Sequence, residues 1–333
     1  MDYNYPIMPL LLSEQDVRML LSMDDLTAAM EGALAQFSTG GAQQPLRTVL
    51  QIGSQHAFFG VMPAVTREPP ALGTKLVTVF GSNAAEGLPT HLATIVLLEP
   101  ATGALLAVLD GRYITEARTA AVSALSAKLL AREDAGVLAI IGSGVQARSH
   151  LEALSRVRTL KDVRVWSPAR ERREQFAREM RSHVDAPIAA TPSVAAATEG
   201  ADLIALVTSS REPVLRSEWV ADGAHICAVG ACRPDQREMD TALVSRGRLF
   251  VDSRTGALAE AGDIVLPIKE GAFDASKITG ELGELATGRV AGRTSRDQVT
   301  IFKSLGMAVE DVAAAHLAYV RATERGLGRG FVL

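Results

Sequence analysis

The chain has 333 residues, 34 basic and 38 acidic side chains, a formal net charge of −4, and 47% apolar residues. At ~150 residues per domain the length suggests two domains, and the composition is that of a folded globular protein. Mild acidity without a Lys/Arg run argues against a nucleic-acid or anionic-membrane surface, and no apolar stretch approaches the ~18 residues of a membrane span. The chain opens with an acid, Asp2, and only a short apolar run, so no signal peptide is expected and the cytoplasm is the expected compartment. Ser22-Met23-Asp24-Asp25 has capping-box spacing, an amphipathic stretch follows, and Gly40-Gly41 ends the predicted helix. Short β-rich runs follow at 46–52, 58–62, 74–80, 94–98 and 105–109, the last two joined by a hairpin-like Glu99-Pro100-Ala101-Thr102-Gly103. Strands in succession imply a largely antiparallel sheet, hence an α+β N-terminal domain.

The rhythm changes after Asp110-Gly111. Thr115 is read as the cap of a long Ala-rich helix, 116–131. Apolar runs at 137–141, 163–166, 203–208, 226–230 and 249–252 then alternate with helical patterns, as in βαβ units with a parallel sheet. Five strands are expected to complete this Rossmann dinucleotide-binding domain, with a last helix at 304–322 returning to the first. The expected division is 1–115 plus about 305–333, against about 116–304.

The strand at 137–141 runs into Gly142-Ser143-Gly144-Val145-Gln146-Ala147, a GxGxxA turn that opens a helix. Gly142 permits the tight turn, Gly144 lets a pyrophosphate approach the backbone, and Ala147 allows close helix–strand packing. The second strand ends in Val165-Trp166-Ser167-Pro168-Ala169-Arg170, with no carboxylate for a ribose 2′-hydroxyl and with Arg172 and Arg173 nearby. That composition favours NADPH, with NADH as the alternative.

Three cations stand out. Arg118 is read in the first turn of its helix, where it opposes the positive dipole end unless an anion lies there. Arg47 and Lys75 each interrupt a strand, on the faces of Val49 and of Val77 and Val79. Such a charge faces either water, at a sheet edge, or an anion-binding pocket. His91 precedes a strand as either a structural or a site residue, no histidines have metal spacing, so no metal is expected, and no GxSxG supports a hydrolase.

Residues 44–48, 73–77, 110–121, 141–147, 229–235 and 302–311 together resemble the ornithine cyclodeaminase/mu-crystallin family, and within it the ketimine-reductase branch. The resemblance implies a homodimer formed through the N-terminal domain. It implies that Arg47, Lys75 and Arg118 are the catalytic set, converging on a substrate carboxylate, with Cys232, Arg233 and Glu260 also on the substrate side. By the same likeness Thr90, His91, Arg118, Thr119, Gly142, Gly144, Val145, Gln146, Ser167, Arg170, Thr208, Val229, Gly230 and Ser304 would line the cofactor. Ornithine cyclodeaminases carry an acid–base Asp where this chain has Cys232, which cannot do that work. The implied activity is NAD(P)H-dependent reduction of cyclic ketimine carboxylates, such as piperideine-2-carboxylate or pyrroline-2-carboxylate, to cyclic L-amino acids, with Lys75 or a water as proton donor. The alternatives are an amino-acid dehydrogenase, an N-alkyl or opine-type imine reductase, and a non-enzymatic ligand-binding protein.

Overall fold

The computed structural model describes residues 8–53 and 57–332, so Asp2 lies outside the described residues, while the short apolar run read after it ends in a strand, Leu10–Leu12. The chain forms two compact units, Met1–Arg118 with Met307–Leu333 and Thr119–Gly306. The first begins with β1 (Leu10–Leu12), α1 (Glu14–Leu20) and α2 (Met23–Thr39). Ser22 caps α2 by accepting from the Asp25 N–H, and Gly40, at φ 79°, closes it in the left-handed region. Met23, Leu26, Met30, Ala33 and Leu34 are buried at helical spacing and form one apolar face. The strands are β2 (Ala42–Gln43), β3 (Thr48–Ile52), β4 (Ala57–Arg67), β5 (Pro70–Val79), β6 (His91–Leu98) and β7 (Leu105–Asp110).

The next helix, α3 (Gly111–Leu130), starts a full turn before Thr115. Asp110 supplies its first side-chain acceptor, Oδ1 taking the Tyr113 N–H at 2.9 Å. Thr115 is therefore inside the helix, its hydroxyl donating back to the Gly111 carbonyl at 2.7 Å. Arg118 lies beyond the first turn, so the expected clash with the helix dipole does not arise.

Unit two is built from β8 (Val137–Ile141), α4 (Val145–Val157), β9 (Asp162–Trp166), α5 (Arg170–Glu179), β10 (Ile188–Ala190), α6 (Val194–Thr198), β11 (Leu203–Leu206) and β12 (His225–Ala228). It continues with α7 (Thr241–Arg246), β13 (Arg248–Val251), α8 (Arg254–Glu260), α9 (Gly262–Lys269), β14 (Ile278–Glu281), α10 (Leu282–Ala286) and β15 (Thr300–Lys303). Eight parallel strands, not five, make the sheet, in the order β10-β9-β8-β11-β12-β15-β13-β14. β15 slots between β12 and β13 and is buried throughout. Alternate β8 residues face two cores: Ala139 and Ile141 one, Leu138 and Ile140 the other. The strand order reverses between β8 and β11, the crevice where doubly wound sheets bind ligands.

The chain returns to unit one through α11 (Ala308–Arg325) and β16 (Arg329–Gly330). The helix starts later than read, because residues 304–307 form a loop with Gly306 at φ 79°. α11 packs on α2, β4 and β5, and Arg321 donates to the Asp25 carboxylate at 2.7 Å. The unit-one sheet runs β16-β1-β7-β6-β5-β4-β2 with β3 beside β4, and among the described residues only β1 and β7 pair in parallel. Among the described residues no helix is long and apolar enough to cross a membrane.

Candidate active site

The charged centre of unit one is assembled by β5, α3 and α11. On β5, Ala71, Gly73, Lys75 and Val77 alternate inward, so Lys75 projects into the core of a central strand. The edge-strand alternative, with its charge in water, is thereby corrected. Lys75 Nζ lies 2.7 Å from Asp311 Oδ2 and donates to Thr115 Oγ1 at 3.3 Å. Arg118, one turn beyond Thr115 on α3, donates from Nε to Asp311 Oδ1 at 2.9 Å and from Nη1 to Glu310 Oε2 at 2.7 Å. Lys75 is 2% exposed, Arg118 4%, and both carboxylates 0%. Glu310 and Asp311 occupy the first turn of α11, where the helix dipole favours negative charge.

Burial, with Arg118 and Arg47 nearby, outweighs the attraction of Asp311 and lowers the Lys75 pKa to about 8. Burial opposes ionisation of Asp311 as well, but Arg118 and Lys75 hold its carboxyl below the usual range. His91, the first residue of β6, is lowered to about 4 by burial and by Lys75 and Arg118, which keeps its imidazole neutral near pH 7. Arg47 is half-buried and precedes β3 rather than sitting in it, and every residue of β3 is exposed, so the apolar face expected for that strand is absent. Glu310, Asp311 and Thr115 went unread as site residues. The two adjacent acids opening a helix had an ordinary explanation as dipole partners, and nothing local paired them with cations far away in sequence.

Unit two presents the dinucleotide motif. Gly142 has φ 127°, and a Cβ there would stand 2.6 Å from the Val207 carbonyl oxygen, so only glycine fits. Gly144 is the N-cap of α4 with no side-chain cap, and a Cβ on it would meet nothing within 4 Å. Ala147 is fully buried and Val145 exposed. Gln146 Oε1 and Ser304 Oγ are buried without a hydrogen-bond partner. Open room over Gly144, an uncapped helix start and these two orphaned polar atoms fit a bound pyrophosphate-linked dinucleotide.

At the end of β9, Ser167 accepts a hydrogen bond from the Ser143 hydroxyl at 2.9 Å and donates to the Ala169 carbonyl at 3.2 Å. Arg173 donates to the Ser167 carbonyl at 2.7 Å, while Arg170 is exposed and paired with Glu174 at 2.6 Å. Thr208 and Val229-Gly230 follow β11 and β12, and Thr119 lies within α3. Cys232 donates weakly to the Val229 carbonyl at 3.2 Å, Arg233 pairs with Asp235 at 3.1 Å, and Glu260 is the last residue of α8. Thr90 and His91 belong to unit one. Among the described residues no group of three or more His, Cys, Asp or Glu side chains is placed to hold a metal.

The model of the ornithine cyclodeaminase/mu-crystallin family matches residues 8–326. The ketimine reductase mu-crystallin of Mus musculus is 45% identical over 315 residues, covering 93% of this chain and 96% of that protein. The structure of Thermococcus litoralis Δ1-pyrroline-2-carboxylate reductase in complex with NADH and L-proline superposes with a TM-score of 0.94 at 39% identity, covering 97% of this chain and 100% of that one. An archaeal alanine dehydrogenase dimer with bound NAD gives 0.93 at 31% identity, covering 98% and 100%. The chain belongs to the ornithine cyclodeaminase/mu-crystallin family.

Proposed function

We propose that this protein reduces the C=N bond of cyclic imine carboxylates to cyclic L-amino acids, using a nicotinamide dinucleotide. The observation that carries the reading is the buried Lys75–Asp311–Arg118–Glu310 cluster. Glu310 and Asp311 neutralise Lys75 and Arg118, and Arg47 acts on Lys75 as a third cation, an excess of positive charge that suits an anionic substrate. The relatives named for ketimine and pyrroline-2-carboxylate reduction support the same chemistry.

In this reading Arg47, Lys75 and Arg118 hold the substrate carboxylate, and Lys75, whose pKa of about 8 lets it donate near neutrality, protonates the imine nitrogen. Fixing the ring by its carboxylate removes rotational freedom before reaction. The bound nicotinamide supplies the hydride. Gly142, Gly144, Val145 and Gln146 would hold its phosphates, Ser167 and Arg170 the adenosine ribose, and Thr208, Val229, Gly230 and Ser304 would line the crevice beyond. NADPH is favoured, because no carboxylate follows β9 and arginines do. Cys232 supports reduction over ornithine deamination, since a thiol replaces the acid that pathway uses. Pairing of two copies through unit one is supported by Leu46, Val49, Leu50 and Ile52, all 39–58% exposed on and beside β3.

The test is oxidation of NADPH and of NADH by the purified protein with piperideine-2-carboxylate and pyrroline-2-carboxylate, beside ornithine plus NAD and pyruvate plus ammonia. Rapid NADPH loss with the cyclic imines alone is expected. Ammonia release from ornithine, or turnover only with the open-chain pair, would replace this reading by deamination or by amino-acid dehydrogenation.

A further inference from the structure

At the carboxyl ends of β11 and β12 a single buried carboxylate ties two crevice loops together. Glu238 is 0% exposed. Its Oε1 accepts from the Thr208 N–H at 2.8 Å and the Thr208 hydroxyl at 2.7 Å. Its Oε2 accepts from the N–H groups of Gly230 at 2.7 Å and Ala231 at 3.1 Å. The backbone approach is so close that a Cβ on Gly230 would lie 2.0 Å from the Thr208 carbonyl oxygen. Glu238 is itself held, because Asp263 Oδ1 accepts its backbone N–H at 2.8 Å and that of Met239 at 2.9 Å. Asp263 Oδ2 in turn lies 3.0 Å from Lys303 Nζ, at the end of β15, and both side chains are 0% exposed.

This chain of contacts joins the ends of three neighbouring parallel strands through charged groups rather than apolar packing. A buried charge of this kind destabilises unless fully satisfied, and apolar contacts would pack the carboxyl ends of these strands at lower cost. What an apolar contact would not do is fix the directions of the backbone groups at Thr208 and Gly230. Both loops border the crevice where the dinucleotide is placed.

We infer that Glu238 is a positioning residue for the dinucleotide, its two carboxylate oxygens setting the separation of the Thr208 and Gly230 loops, with the Asp263–Lys303 pair fixing Glu238. The inference rests on the assignment of the unit-two crevice to a nicotinamide dinucleotide. It predicts a defect in cofactor binding that leaves the grip on the imine carboxylate intact.

The informative substitution is Glu238→Gln, which keeps the shape but can accept on one side only, its amide N–H groups facing backbone N–H groups on the other. Dinucleotide affinity is read directly on the full chain by NADPH fluorescence, without imine. The dissociation constant is expected to rise about 10- to 100-fold, the scale seen when groups that orient ligand-binding residues are lost. In turnover, KM for NADPH should rise with it, while KM for the imine carboxylate stays within about twofold of wild type. A folded variant with unchanged NADPH affinity would overturn the inference. Should the variant fail to fold, hydrogen exchange on the wild type decides. Amides of Thr208, Gly230 and Ala231 exchanging as slowly as those of β11 and β12 without cofactor support it, and exchange at surface-loop rates overturns it. A wild type that binds neither NADPH nor NADH would instead remove the crevice assignment, whatever the exchange rates show.

Discussion

The Lys75 ammonium lies 2.7 Å from the Asp311 carboxylate, and neither side chain reaches solvent. The second oxygen of Asp311 is taken by Arg118, so one carboxylate fixes both cations relative to each other. Rigidity of this sort comes from β5, α3 and α11 meeting at one point.

In the proposed reaction Lys75 must carry its proton to hold the imine carboxylate and to donate. With its pKa lowered to about 8, mainly by burial, the protonated form dominates below that pH and is lost above it. The kcat/KM for a cyclic imine carboxylate is therefore expected to fall as pH rises through about 8. Lys75→Met should abolish that limb and lower kcat by about 10²–10⁴-fold, the usual worth of a positioned acid. A pH–rate profile of both proteins checks it, and an unchanged kcat in the variant would remove Lys75 from proton transfer.

Asp311 opposes the downward shift of Lys75. Removing its charge in Asp311→Asn should move the alkaline limb to lower pH, by about one unit or more. Two buried cations would also lose a shared partner, so urea unfolding should show a loss of about 3–5 kcal/mol. A limb that stays in place would mean that Lys75 is not the group titrating.

The two motif glycines should separate by experiment. Gly142→Ala forces a Cβ against Val207 at φ 127° and should cost about 1–3 kcal/mol in stability, with dinucleotide binding falling too. Gly144→Ala meets no protein atom within 4 Å, so its Tm should match wild type while NADPH affinity drops at least about tenfold. Equal NADPH affinity in Gly144→Ala would show that no phosphate passes over that residue.

Local patterns carried much of the architecture. The α2 caps at Ser22 and Gly40, the strand periodicity of unit one and the GxGxxA turn are written within a few residues each, because they report short-range geometry. β10, β14 and β15 escaped because each is only three or four residues long, too short for a periodicity to announce it. The counter-charges of Lys75 and Arg118 escaped for another reason: Glu310 and Asp311 are remote in sequence and meet them only through the fold. A cation on an apolar strand face said that an anion was needed, not where in the chain it would come from.

Unit one is closed by the last stretch of the chain, from Met307 onward, while every strand of the parallel sheet precedes that residue. During synthesis, then, the parallel sheet has all its strands before Lys75 and Arg118 have either of their carboxylates. A nascent or truncated chain ending before Met307 lacks the two carboxylates that pair with Lys75 and Arg118 in the folded protein. The order of translation thus delays assembly of the charged centre until α11 has emerged, and if that centre holds the substrate as proposed, an intact C-terminal helix is a condition of activity and not merely of stability.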